Sequence, residues 1–298
     1  MKLPARTLVL HAGALGDSVL VWPLLRALAR GGCTVTFAAA PEKAQLAADH
    51  LPLTPRSLDA DLFTRLWRGP SAITSADVDP TLECVISFLT DDHADWLAAA
   101  RRAWPAAELI AVGPPGAASR REIWQRFDVT NLGSVAPRAA AVGPIVAHLG
   151  AGSSTKRWPI DRWSALIQHL RAAGHQVDVI LGEVEAERFT PAERAAAASL
   201  AARPLTNLAN LARALLTARA FIAADTGPAH LAAQLATPTL ALFGPTDPLL
   251  WRPLGPSVHL LAPTAPMSMD WLTVAAVRSA VGELLDPPPA PSPPPRGP

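Results

Sequence analysis

Nine short apolar runs recur along this chain, and each leads into a polar turn and then a stretch with helical spacing. In the first half they are Thr7–Leu10, Thr34–Ala39, Cys84–Leu89 and Glu108–Val112. In the second half they are Pro144–Leu149, Gln176–Leu181, Ala220–Ala224, Pro238–Phe243 and Val258–Leu261. Helical patterns such as Arg162–Ala173 and Pro191–Ala202 fill the gaps. Strands that alternate with helices pack as parallel sheets joined by right-handed crossovers, so the chain reads as an α/β protein. With 298 residues, half of them apolar, it can bury one large core or two of ordinary domain size. Periodicity fades between Ser134 and Gly143, where Pro, Ala and Gly take over. We therefore divide the chain into residues 1–138 and 139–286. The last helix is expected from about Asp270 to Leu285, with Leu272, Val277, Val281 and Leu284 on its buried face. Residues 287–298 include eight prolines and suit an extended, disordered tail rather than a core.

Charge and cysteine content narrow the function. A net charge of +1 gives no basic field for nucleic acid. Cys33 and Cys84 each lie beside a predicted strand without a metal-ligand partner nearby, which suits small core residues. No His/Cys/carboxylate cluster with ligand spacing appears, and no Asp-x-Asp closes any of the nine predicted strands. The chain enters a strand almost at once without a charged leader. Its longest apolar runs are too short or too interrupted to span a bilayer. A cytoplasmic monomer is the expectation.

Three strand-to-turn segments concentrate the chemistry. In Phe221–Pro248 a strand ends at Asp225, and Thr226-Gly227-Pro228 opens a helix that carries His230. Gly227 permits close backbone approach, and the helix start offers free amides to an anion. In Leu8–Asp17 a strand runs into Gly13-Ala-Leu-Gly16-Asp17, which is not a dinucleotide fingerprint because G-x-G-x-x-G is absent. Asp17 there either caps the next helix or faces a cleft. In Ile145–Trp163 a strand leads to Ser153-Ser154-Thr155-Lys156, a group of hydroxyls and one cation that suits phosphate. Each segment alone is equally a structural turn, since turns use the same residues.

Together the segments GALGD, GAGSSTKRWPIDRW and DTGPAHLAAQLATPTLALFGPTDPLLWRPLG resemble glycosyltransferase family 9, the heptosyltransferases of lipopolysaccharide inner-core assembly. The resemblance covers both halves of the chain in order. It implies a GT-B-type fold, with two Rossmann-like domains whose parallel sheets face a central cleft. The first domain would serve the acceptor and the second the nucleotide sugar. It also implies an inverting, metal-independent transfer without a cofactor. The donor would be ADP-heptose and the acceptor a lipopolysaccharide-core or related glycan or glycolipid, met at the inner face of the cytoplasmic membrane.

By position in the motifs, Asp17 matches the family's base and Lys156 its diphosphate-binding lysine. Ser154, Thr155 and the amides from Thr226 to Ala229 would join the phosphate contacts, with Gly16 and Gly227 lining the same loops. Asp225 would bind sugar hydroxyls. His230 either touches the donor or orients its helix. Glu185 would reach a ribose, with Glu183 as its competitor. Arg56, Arg65 and Arg68 are acceptor-side candidates, as are Arg120, Arg121 and Arg126; each could equally lie on a solvated helix face. Trp158, Trp163 and Trp251 are expected to pack rather than stack on sugar. A nucleotide-sugar epimerase of the same architecture and a non-catalytic nucleotide-sugar-binding subunit are the competing readings.

Overall fold

The computed structural model describes residues 3–89, 93–112, 123–139, 141–182 and 187–286. The pair Glu183 and Glu185, the pair Arg120 and Arg121, and the proline-rich tail fall outside these residues.

The apolar runs form two separate parallel sheets. The first contains β1 (Arg6–Leu10), β2 (Thr34–Ala39), β3 (Thr54–Ser57), β4 (Cys84–Ser87) and β5 (Glu108–Ala111), in the order β3-β2-β1-β4-β5. The second contains β6 (Ile145–His148), β7 (Val177–Leu181), β8 (Arg203–Pro204), β9 (Ala220–Ala224), β10 (Thr239–Leu242) and β11 (Val258–Leu261), in the order β11-β10-β9-β6-β7-β8. Every pairing is parallel. Each sheet starts at its centre, winds outward to one edge, then returns to the centre and winds to the other. The order therefore reverses between β1 and β4 in one sheet and between β6 and β9 in the other. A crevice opens at each reversal, outside the carboxyl ends of the strands.

The helices of the first half are α1 (Leu15–Leu20), α2 (Trp22–Arg30), α3 (Pro41–His50), α4 (Asp61–Trp67), α5 (Ala94–Ala103) and α6 (Val129–Leu132). Those of the second half are α7 (Ile160–Ala172), α8 (Pro191–Ser199), α9 (Leu208–Thr217), α10 (Gly227–Gln234), α11 (Pro248–Trp251) and α12 (Val274–Leu285). The predicted strands all form, with ends that shift by one or two residues. Two strands escaped sequence analysis. β3 is an exposed edge strand, and β8 has two residues; neither has the apolar signature of a buried strand. Because β3 exists, Asp59-Ala60-Asp61 does follow a strand, contrary to expectation. It leads into α4, where the Asp61 side chain is almost fully exposed and pairs loosely with Arg65 at 3.9 Å.

Apolar side chains organise into three layers. Leu8, Leu10, Phe63, Leu66, Trp96 and Trp104 fill the outer face of the first sheet. Trp158, Trp163, Leu166, Ile222, Leu272 and Val281 fill the outer face of the second. The core between the sheets is continuous: Val9, Leu24, Leu28 and Phe37 from the first half join Leu211, Leu215, Phe221, Ala229 and Leu231 from the second. α12 begins later than expected, at Val274, yet buries Val277, Val281 and Leu284 as the spacing predicts. Leu272 is buried too, just ahead of the helix, and its carbonyl accepts from Trp158 Nε1 at 2.9 Å. Trp158 and Trp163 meet edge to face at 5.0 Å, packing as expected, whereas Trp251 is half-buried on α11. Cys33 and Cys84 are buried free thiols; burial pushes Cys84 up to about 12.

Polar contacts also bind the halves. Arg26 on α2 is buried, and its guanidinium donates to the Gly133 carbonyl at 2.9 Å and to Gln234 Oε1 on α10 at 3.0 Å. Gln234 passes the link on, donating to the Leu254 carbonyl at 2.5 Å. Removing a buried donor strands its acceptors, and hydrogen bonds to charged groups contribute about 1.5–3 kcal/mol. Arg26→Met keeps the aliphatic stem and loses the donors. It should lower stability by about 2 kcal/mol in urea denaturation while the two halves still unfold together.

Candidate functional site

Two loops of the second sheet converge at its reversal point. β6 ends at His148, and the chain then passes Gly152 into a single 3-10 turn, Ser154–Lys156. Ser153 opens that turn: its hydroxyl accepts from the Thr155 amide at 3.3 Å and lies 2.8 Å from Thr155 Oγ1. Ser154 and Thr155 are thereby left exposed on the loop. β9 ends at Ala224, which puts Asp225 at the neighbouring strand end. Lys156 Nζ reaches across and donates to Asp225 Oδ2 at 2.9 Å. One ion pair thus bridges the crevice between β6 and β9.

Asp225 is buried, its side chain only 6% exposed, and it is held from three sides. Besides Lys156, the Thr246 hydroxyl donates to Oδ2 at 2.9 Å. His230 Nε2 lies 3.6 Å from Oδ1. Burial pushes the Asp225 carboxyl upward, but His230, Lys156 and Thr246 outweigh it and hold the carboxyl below its usual range. Thr246 was missed by sequence analysis. It sits in the Gly-Pro-Thr-Asp turn after β10, and a turn threonine gives no sign of reaching a strand end two loops away. His230 is itself buried, and its Nδ1 has no hydrogen-bond partner.

The amide cradle is smaller than the sequence predicts. The Ala229 amide donates to the Thr226 carbonyl at 3.0 Å, and Pro228 has no N–H. Thr226 and Gly227 remain, and the Thr226 hydroxyl is buried without a hydrogen-bond partner.

Across from this site, β1 ends at Leu10 and the chain passes His11 and Gly13 into α1. The helix is capped by Ala14, so Asp17 is not an N-cap; it lies part-exposed in the first turn, where a carboxylate suits the helix dipole. The two site loops are not separated by a wide cleft. A Cβ on Gly227 would sit 3.0 Å from the Gly16 amide nitrogen, and one on Gly16 would sit 3.2 Å from the His230 ring. Both glycines are needed for α1 to lie directly on the start of α10.

The arginine candidates divide. Arg65 is committed to Asp77 by a two-pronged ion pair inside its own domain. Arg126 pairs with Glu108 and lies over the Phe127 ring. Arg56 is exposed with its guanidinium over Phe63, and Arg68 is exposed at the end of α4. The structure brings Lys156, Asp225, Thr226, Gly227, His230, Gly16 and Asp17 into one region, while Arg65 is taken up structurally.

Comparison with known proteins agrees with this fold. The model of glycosyltransferase family 9 (heptosyltransferase) matches residues 123–269. Over that stretch the chain is similar to glycosyltransferase family 9. Lipopolysaccharide heptosyltransferase 1 of Pseudomonas aeruginosa is 44% identical over 108 residues, 36% of this chain and 30% of that protein. The sequence likeness therefore spans about a third of the length of the curated relatives. The fold likeness spans nearly all of it. A glycosyl transferase family 9 structure from Veillonella parvula superposes with a TM-score of 0.72 at 16% identity, covering 96% of this chain and 98% of that one. The Escherichia coli heptosyltransferase WaaC with ADP gives 0.62 at 20% identity, covering 94% and 99%. The fold is of the GT-B type.

The depressed Asp225 carboxyl has a consequence for acid stability. A group whose folded value lies below its unfolded one stabilises the fold at pH above the unfolded value, here 3.8, and that contribution is lost as pH falls through the folded value. Urea melts from pH 7 to pH 3 should show Asp225→Asn less stable than the wild type at neutral pH, with the gap closing below about pH 4.

Proposed function

We propose that this chain is an inverting glycosyltransferase that moves a sugar from a nucleotide diphosphate, heptose from ADP-heptose, to a lipopolysaccharide-core or related acceptor. The observation that carries the reading is the Lys156–Asp225 pair, which spans the reversal point of one sheet, while Gly16, the residue before Asp17, brings the reversal point of the other sheet against Gly227. Relatives and structural neighbours described as heptosyltransferases, one of them with ADP, support the donor class. Among the described residues no helix is long and apolar enough to cross a membrane.

The chemistry follows from the charges. An acceptor hydroxyl loses its proton to the Asp17 carboxylate as its oxygen bonds to the anomeric carbon. The bond from that carbon to the diphosphate oxygen breaks on the opposite face, and its electron pair leaves with the nucleotide. Lys156, with the Ser154 and Thr155 hydroxyls beside it, neutralises the charge that develops there, a task a metal ion performs elsewhere. In the free protein Lys156 is shared with Asp225, so an arriving diphosphate competes for a cation already in place. Asp225, freed of part of that pairing, turns toward sugar hydroxyls with Thr246 and His230 still holding it.

Three measurements test the reading. Truncating one member of a desolvated charge pair costs roughly 2–5 kcal/mol, so Lys156→Ala should weaken ADP binding by at least tenfold in calorimetry. Unchanged affinity would return the loop to a structural role. Asp17→Asn should keep ADP affinity and melting temperature but lose about 10²–10⁴-fold in transfer rate, the contribution of a general base. Wild-type turnover in that variant would place the base elsewhere. Transfer should survive excess EDTA; a loss restored by added divalent metal would end the claim that Lys156 does the cation's work.

A further inference from the structure

In the Asp17 loop the two peptide units that flank Gly13 are each held by a side chain. The Gly13 N–H donates to His11 Nδ1 at 3.1 Å. The Gly13 carbonyl accepts from Lys43 Nζ at 2.5 Å. Lys43 comes from the first turn of α3, which follows β2, the strand beside β1. His11 continues β1, and its own amide donates to the Ala38 carbonyl at 2.9 Å. Two side chains therefore meet on one glycine, and one of them is itself tied to the neighbouring strand end.

That glycine lies directly beneath the carboxylate. A Cβ on Gly13 would fall 2.9 Å from Asp17 Cβ and 2.6 Å from His11 Cε1, so no other residue fits without moving one of them. Lys43 is near enough to Asp17 for their charges to interact, and burial lowers its own affinity for a proton against that attraction. His11 is buried against Phe88, with ring centres 5.7 Å apart. Burial and then the Lys43 charge lower it to about 4, so the ring is neutral and Nδ1 stays available as an acceptor near neutral pH.

We infer that Lys43 and His11 are positioning residues: they clamp the backbone on either side of Gly13 and thereby set the Asp17 carboxylate toward the reacting hydroxyl. The inference rests on the transferase reading and extends it to two residues outside the motifs. A single carboxylate in the short helix α1 has little of its own to fix its depth. The clamp supplies that, from a separate helix and a separate strand. A base displaced by about an ångström loses on the order of 10²-fold in rate without any change in donor binding.

The test uses the full chain, ADP-heptose as donor and a lipopolysaccharide-core acceptor. Lys43→Met should lower kcat by about 10²-fold with ADP affinity unchanged, and Lys43→Arg, which can still donate to the Gly13 carbonyl, should recover most of it. Retention of wild-type kcat in Lys43→Met, or a matching loss of ADP affinity, would overturn the clamp. Asp17→Asn is assayed alongside: if it transfers normally, the base assignment itself falls, whereas an inactive Asp17→Asn beside an unaffected Lys43→Met sinks the clamp alone. If Lys43→Met does not fold, nitrogen NMR of the wild type decides. His11 Nδ1 should be unprotonated at pH 7 and hydrogen-bonded to the Gly13 amide; a protonated Nδ1 would overturn the proposal.

Discussion

The close approach of Gly16 to Gly227 underlies the arrangement of everything else. Where side chains normally hold two helices 8–10 Å apart, a glycine on each element lets α1 meet the start of α10 backbone to backbone. Both elements follow the carboxyl end of a central strand, so this contact brings the two sheet edges that carry polar side chains face to face. A Cβ on Gly16 would push against the His230 ring, and His230 braces Asp225. The spacing between the sheets and the orientation of the buried carboxylate are thus set by the same few atoms.

Around that contact the electrostatics are arranged rather than strong. A carboxylate taken out of water is costly unless its lone pairs are filled. Asp225 meets that cost with a lysine and a hydroxyl from two different loops and an imidazole from α10. Of these partners Lys156 is part-exposed, at 31% of its side chain, whereas His230 is buried at 5%.

The sequence was a good guide wherever a strand carries an apolar run, the edge strands β5 and β11 included, and a poor one where it carries none. β9 and β10 are uninterrupted apolar runs, and so they read plainly; β3 alternates nothing and is exposed, and so it did not. Motif position likewise placed Lys156, Asp225 and Asp17 in one region. What it could not supply was which loops touch. Thr246 reaches Asp225 from 21 residues away, and Lys43 reaches Gly13 from 30 residues away. Arg65 looked like a ligand-facing cation, yet Asp77 claims it twelve residues on. Contacts of this kind depend on how far each turn carries the chain, which local residue preferences do not record.

The core that runs without a break from Leu24 and Phe37 to Phe221 and Leu231 limits how this molecule can move. Two lobes with separate interiors can swing apart on a flexible tether, since opening exposes only their facing surfaces. Here such a swing would tear apolar contacts open to water along the length of the seam. Motion that preserves burial is sliding, in which packed helices shift past one another by small rotations and rotamer changes. A catalytic crevice in this chain would therefore widen and narrow by shear of α1 and α2 along α10, with Arg26 and Gln234 marking the slip plane.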